Sequence, residues 1–340
     1  MKLKVILYEF VLIILASTSL YAQEKIIAVR LDSNPIIKPS MLRGIDGQNI
    51  NGPSLIKVPR WIKYPLGKYY LYFAHHEGKY IRLAYANDIK GPWKLYEKGT
   101  LKMEECICNN KSEKLPDAGH IASPDLLIDS KNKRLVMYFH CPVYQDGLDS
   151  LKDYPQLSFR ATSKDGIVFN PEEEILGNSY FRVFKWNKQY YAIARLGLFY
   201  KSKDGITDFE KGPNPFNKIQ KSSTVRHSAV IKRKNALYVF YSRIGDIPER
   251  ILVSKIQLTD DWNQWIPSNP TTVIEPMLDY EGVNEPLKKS VAGASYLPVR
   301  ELRDPAIFQD KGKTFLLYTV SGELGIAIAK LKFEKFLVNR

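Results

Sequence analysis

Residues 226–254 read RHSAVIKRKNALYVFYSRIGDIPERILVS. Three short runs within it, His227–Lys232, Leu237–Tyr241 and Ile251–Ser254, are rich in β-branched and aromatic residues. Lys-Asn and Gly-Asp punctuation separates them. Runs of this length and composition, bounded by turn residues, form β-strands. The triplet recurs across the chain. First members are residues 53–58, 124–129, 181–184, 227–232 and 305–308. Second members, the most aromatic, are 69–74, 135–140, 190–194, 237–241 and 315–319. Third members are 81–85, 158–162, 198–201, 251–254 and 326–329. A weaker fourth segment follows near Trp93–Tyr96, Phe169, Phe209 and Trp265.

Four antiparallel strands repeated radially make a β-propeller. The chain therefore reads as all-β, a five-bladed β-propeller occupying residues 23–340 as a single domain. A β-sandwich joined to a second β domain is the rival architecture, and five aligned triplets argue against it. The last blade lacks an outer strand. Residues 24–31 or Leu331–Val338 are the candidates to supply it. Two Ser-Lys-Asp-Gly stretches, Ser163–Gly166 and Ser202–Gly205, read as tight turns between third and fourth strands.

Composition bounds the function. Hydrophobic residues make up 44% and charged residues 25%, enough apolar material for a sizeable core. The net charge is +14. The basic residues are scattered, so the charge reads as a solvated surface, with an acidic glycan left open as a partner. Three cysteines exclude a disulfide-built scaffold. They allow one bridge, from Cys106 or Cys108 to Cys141, with one thiol left over.

Lys2 and Lys4 precede the apolar run Val5–Ala16, and Leu20-Tyr-Ala22 follows. This is the order of a secretory signal, residues 1–22, cut after Ala22. The run is shorter than the roughly 20 apolar residues a membrane span needs. The expectation is a secreted or periplasmic protein with no membrane or nucleic-acid partner.

In a propeller, the starts of the first strands and the loops after the second strands open on one face. Sorting by that rule collects Asp46, Asn51, His120, Asp125, Arg182, Arg226, His227, Glu281, Arg303 and Asp304 from the former set. The latter supplies His75, His76, His140, Arg195, Arg243 and Glu323. All five histidines fall on this face. Imidazoles, carboxylates and guanidiniums crowded at a channel mouth shift one another's pKa values, which marks a candidate site.

Asn51-Gly-Pro-Ser-Leu-Ile, Ser123-Pro-Asp-Leu-Leu-Ile-Asp129, Arg226-His-Ser-Ala-Val-Ile and Leu302-Arg-Asp-Pro-Ala-Ile-Phe308 resemble the five-bladed β-propeller glycoside hydrolases of families 43, 62, 68 and 117. The first two blades also resemble uncharacterised secreted bacterial members of that superfamily. The resemblance implies cleavage of a plant or algal oligosaccharide by an acid/base, single-displacement mechanism. No cofactor is required by that chemistry, and a structural calcium in the channel is compatible with it. Family 43 uses three channel carboxylates. Asp125 matches the second. Asn51 stands where the first would be, with Asp46 nearby, and Tyr180-Phe-Arg182 holds no glutamate for the third. Family 117 employs a late-blade histidine as acid, a place that His227 occupies. The catalytic candidates are thus Asp125, Asp304, Glu281, His227 and Asp46. Asn51, His75, His76, His120, Arg182, Arg226, Arg243, Arg303 and Glu323 are candidates for substrate binding. A glycan-binding propeller without catalysis and a lyase for uronate chains are the alternatives.

Overall fold

The computed structural model describes residues 21–107, 119–145, 148, 154–219 and 225–338. The secretory-signal reading falls largely on residues 1–20, outside the described residues. The outermost strand of the last sheet comes first in the chain, as β1 (Tyr21–Arg30). Blade 1 follows as β2 (Asn51–Lys57), β3 (Tyr69–Ala74), β4 (Arg82–Ala86) and β5 (Lys94–Tyr96). Blade 2 is β6 (Ala122–Asp129), β7 (Arg134–Pro142) and β8 (Gln156–Ser163). The outer edge of β8 is shared by β9 (Asn170–Pro171) and β10 (Gly177–Asn178). Blade 3 is β11 (Arg182–Trp186), β12 (Gln189–Ala194), β13 (Leu198–Ser202) and β14 (Glu210–Lys211). Blade 4 is β15 (Val225–Arg233), β16 (Ala236–Arg243), β17 (Ile251–Gln257) and β18 (Thr271–Ile274). Blade 5 is β19 (Arg303–Asp310), β20 (Lys313–Thr319) and β21 (Ile326–Val338), closed by β1.

The protein is therefore an all-β five-bladed propeller of antiparallel sheets. The second strands explain the architecture. Side chains alternate across a strand, and here both faces are apolar. In β3, Leu71 and Phe73 face blade 5, whereas Tyr70, Tyr72 and Ala74 face blade 2. Five apolar clusters result, each filling the gap between two neighbouring blades. Hydrophobic burial thus acts around the whole ring.

Ring closure comes from the N-terminal candidate. β1 pairs antiparallel with β21 from Tyr21↔Val338 to Arg30↔Ala329. Ile26 and Ala28 pack on the core between blades 4 and 5. Leu331–Val338, the other candidate, continues the third strand. The fourth strand of blade 4 also differs from expectation: it lies at Thr271–Ile274, not near Trp265. Trp265 buries its ring in the core between blades 3 and 4, and its Nε1 donates to the Thr259 carbonyl at 3.0 Å.

The Ser-Lys-Asp-Gly stretches are turns, as expected. Ser163 Oγ accepts from the Gly166 amide, and Asp165 Oδ1 accepts from the Ile167 and Val168 amides. Ser202 and Asp204 repeat the pattern. Each turn also staples a blade to the one before it. Tyr72 Oη donates to the Gly166 carbonyl, and Tyr138 Oη donates to the Gly205 carbonyl.

One irregularity repeats at the pore. The register between first and second strands slips between Asn51 and Ser54, Ala122 and Asp125, Val225 and Ser228, and Arg303 and Ala306. In blade 3 the Arg195 amide donates to the Ser179 carbonyl, three residues before Arg182, which pairs with Ile193. Superposing the registers makes Gly52, Ser123, Tyr180, Arg226 and Asp304 equivalent. Four of these have positive φ: 56° at Gly52, 51° at Ser123, 65° at Tyr180 and 47° at Asp304. Such bulges re-aim side chains next to binding sites.

Candidate active site

The bulges surround a cavity of about 140 Å³ at the pore mouth, comparable to cavities that take one six-membered ring. Every blade contributes to its lining. Asn51 and His76 come from blade 1, and His120, Ser123, His140 and Gln156 from blade 2. Blade 3 supplies Tyr180 and Arg195, blade 4 Arg226, His227 and Ile244, and blade 5 Asp304. Ala292 and Gly293 reach in from the long connection between β18 and β19.

An aromatic file runs along one wall. The Tyr180 ring lies between His140 and His227, with centroids 4.5 and 4.3 Å away, and His120 meets His140 at 6.1 Å. Burial pushes the Tyr180 hydroxyl up to about 12, and Asp304 adds to the effect. Burial, followed by His76, pushes His120 down to about 4. His140 is held well below its ordinary value by burial and by its neighbours His120 and His227. These two imidazoles are neutral at pH 7.

At the end of the file, His227 Nδ1 contacts Asp304 Oδ1. Burial holds His227 below its ordinary value despite Asp304. Burial alone would raise Asp304, yet His227 beside it and Arg226 nearby hold the carboxyl below its usual range. Asp304 Oδ2 and His140 Nδ1 are buried without a hydrogen-bond partner. Unpaired polar groups cost free energy when buried, so both are poised to accept a ligand's hydrogen bonds.

Across the cavity stands a second histidine–carboxylate pair. His76 Nε2 lies 3.3 Å from Glu323 Oε2. Burial alone would lower His76, but Glu323 overcomes it and holds the imidazole above its ordinary value. Glu323 is fully buried, and burial would raise its carboxyl. His76 and Arg303 instead hold it far below the carboxylate range. Its oxygens accept from Arg303 Nη1 at 3.0 Å and Asn49 Nδ2 at 2.6 Å. Arg303 also meets Glu301 at 2.9 Å and Glu249 at 3.3 Å. Arg226 lies 3.1 Å from Glu249. Burial raises Glu249 to about 7 against the pull of Arg226 and Arg303. Arg226 further donates to the carbonyls of Val291 and Gly293, and Arg303 to that of Gly293. The buried ions thereby pin the connection that roofs the cavity.

The residues named from the sequence are distributed as follows. Asn51, His76, His120, Arg226, His227 and Asp304 line the cavity. Arg303 and Glu323 lie directly behind it. His75 sits outside the lining, its Nδ1 accepting from the Glu77 amide at 2.9 Å. Asp125 lies deeper. It is equivalent to Ser54 and Ala306, two residues beyond the bulge position, or about 7 Å further along the strand. There Arg182, the Val183 amide and Ser54 surround it, and burial nevertheless raises its carboxyl. Arg182 bonds the Ser123 and Phe181 carbonyls. Glu281 lies away from the cavity, its carboxylate taken by Arg30 at 2.7 Å, Tyr318 at 3.0 Å and the Met277 amide at 2.9 Å. Asp46 accepts from Tyr80 Oη at 2.5 Å beside a separate surface groove. Arg243 pairs with Asp246 at 2.9 Å. Tyr180, Ser123 and Gln156 were not singled out as site residues by the sequence reading. A bulge-aware alignment of the five repeats would have put Tyr180 in register with Asp304.

Cys141 is disulfide-bonded, and Cys106 is free and buried. Cys108 lies outside the described residues. Among the described residues, no group of three or more His, Cys, Asp or Glu side chains is placed to hold a metal ion.

No family model matches the chain. Over 329 residues it is 37% identical to the uncharacterized protein R118 of Acanthamoeba polyphaga mimivirus, covering 90% of this chain and 91% of that one. Solved structures share its architecture. A putative glycoside hydrolase from Parabacteroides distasonis aligns at TM-score 0.58 and 12% identity, over 89% of this chain and 95% of its own. A family-43 β-xylosidase/α-arabinofuranosidase from a compost metagenome, in complex with xylotriose, aligns at 0.56 and 14%, over 90% and 95%. An exo-1,5-α-L-arabinanase from a bovine ruminal library aligns at 0.51 and 11%, over 88% and 100%. The fold is that of the five-bladed family-43 glycoside hydrolases.

Proposed function

The chain belongs to one family with the mimivirus protein R118, and from that membership, the shared fold and the cavity we propose that it is a glycoside hydrolase acting on an oligosaccharide at the pore mouth. The carrying observation is that one small cavity joins Asp304, its carboxyl held below the usual range and its Oδ2 buried and unpaired, to His76, which Glu323 holds above its ordinary value. Environments that push two titratable groups apart assign acid and base. Asp304 Oδ2 takes a proton from water while His227 fixes the carboxylate by Oδ1. The water oxygen attacks the anomeric carbon, and the glycosidic C–O bond breaks. The leaving oxygen receives a proton from His76 through Nδ1, because Nε2 faces Glu323. A single displacement of this kind inverts the anomeric centre. His140 Nδ1, Asn51 and Ser123 are available to hold sugar hydroxyls. Export is supported by the Lys2–Ala22 pattern and by the Cys141 disulfide, since disulfides persist in oxidising compartments.

A second reading has its own observation. Asp304 is the sole carboxylate in the described lining, and the Tyr180 ring lies between the imidazoles of His140 and His227. That arrangement would suit elimination on a uronate chain, in which a base removes the proton α to the carboxylate and the C–O bond breaks without water. Incubation with neutral, sulfated and uronate oligosaccharides separates the cases. Hydrolysis produces new saturated reducing ends, elimination an unsaturated, absorbing product, and a non-catalytic propeller binding alone. Saturated products that vanish in Asp304→Asn support the hydrolase, and an unsaturated product replaces it with the lyase.

A further inference from the structure

We propose that Arg195 receives a negatively charged substituent, a carboxylate or a sulfate, on the sugar held in the pore-mouth cavity; this rests on the reading of that cavity as a glycan site. Arg195 stands one residue beyond β12, where its amide donates to the Ser179 carbonyl at 2.8 Å. The blade registers make it equivalent to Ala74, His140, Arg243 and Thr319, the rung closest to the pore mouth. Its side chain lines the cavity.

The backbone beneath Arg195 is held from several sides. Leu196 adopts φ 65°, ψ 12°, a strained conformation for a non-glycine residue that persists only where surroundings enforce it. Asn214 Nδ2 donates to the Leu196 carbonyl at 2.7 Å. Gly197 has φ 81°, and a Cβ there would meet the Phe216 ring at 2.6 Å. On the other side Tyr180, next to Ser179, has φ 65°. Arg195 is thus an exposed cation on a fixed turn.

Charge matching singles it out. His76 faces Glu323, Arg226 faces Glu249, and His227 faces Asp304. Arg195 has no ion pair and no side-chain hydrogen bond among the described residues. Its counterpart in blade 4, Arg243, is matched by Asp246 at 2.9 Å. At this rung the fold neutralises the arginine of blade 4 and leaves the arginine of blade 3, which lines the cavity, unmatched among the described residues. A guanidinium presents a planar fork of donors that fits carboxylate or sulfate oxygens in bidentate fashion, a fit a neutral hydroxyl cannot reproduce.

The test compares wild type, Arg195→Gln and Arg195→Lys by titration calorimetry, each in the Asp304→Asn background so that turnover does not intervene. The probes are uronate-bearing oligosaccharides, sulfated oligosaccharides, and their carboxyl-reduced and desulfated counterparts. Thermal melts confirm that each variant is folded. With Arg195 present, one charged set binds at least about tenfold more tightly than its neutral counterpart, and added salt weakens that preference. Arg195→Gln brings the charged-to-neutral ratio close to one, and Arg195→Lys keeps part of it. Whether the uronate or the sulfated set shows the preference identifies the substituent. Equal binding of charged and neutral forms, a preference that survives Arg195→Gln, or no binding of either set overturns the proposal. Turnover by the enzyme with Asp304 intact is scored separately. Charge preference without cleavage removes the hydrolase and keeps the anion site; cleavage without preference does the reverse.

Discussion

Replacing Arg303 by methionine tests whether the pore is held by compensated buried charge. The substitution keeps most of the side-chain volume and removes the guanidinium that touches Glu249, Glu301 and Glu323. Breaking a buried ion pair from one side costs about 3–5 kcal/mol, because the remaining charge stays buried without its partner. Unfolding entropy near 2.1 cal/mol/K per residue makes each kcal/mol worth about 1.5 °C of Tm in a chain of this length, so Arg303→Met should melt about 5–7 °C below wild type. The deficit should depend on pH with a definite sign. Glu249 is raised by burial from 4.5 to about 7 in the folded protein. A raised group contributes stability below its unfolded pKa, and that contribution is lost as pH rises through the folded value. Without Arg303, Glu249 rises further, so the variant loses more than wild type between pH 5 and 8. Scanning calorimetry at both pH values reads the effect. A variant that melts within 1–2 °C of wild type at pH 8, or a deficit equal at both pH values, would refute the reasoning.

Other consequences follow from the site. His76→Gln should lower turnover about 10²–10⁴-fold, the usual contribution of a positioned proton donor. Wild-type activity should fall as pH rises through the raised His76 value, and a pH–rate profile of residual His76→Gln activity should lack that alkaline limb. Gly52→Ala places a Cβ 2.9 Å from the Ser123 Cα at φ +56°, where strain alone costs about 1–3 kcal/mol. It should unfold at measurably lower denaturant concentration, and a variant as stable as wild type would contradict the bulge geometry at the pore.

The blade plan was legible because the aromatic second strands must bury both faces, which leaves long apolar runs such as Tyr69–Ala74 in the sequence. The convergence of His76, His120, His140 and His227 followed from repeat register alone. What the strand pattern hides is the bulge. Asp304 precedes its proline and Asp125 follows one, a two-residue difference that moves Asp125 from the mouth to the channel wall beside Arg182. The strand pattern hides the place of Tyr180 for the same reason, since its positive φ is a backbone property. Glu281 and Asp46 belong to long connections whose paths no periodicity describes. Glu281 closes a buried contact with Arg30 on β1, and Asp46 meets Tyr80 at the rim of blade 1. The closure by β1 was one of two options, and pairing length decides between them: ten successive partners join β1 to β21.

The most direct measurement is release of reducing ends from neutral, sulfated and uronate oligosaccharides by the wild-type protein and by Asp304→Asn side by side. The account predicts saturated products from at least one set with wild type, and a loss of about 10²–10⁴-fold in the folded variant. No saturated product from any set, or equal turnover by the variant, would contradict it.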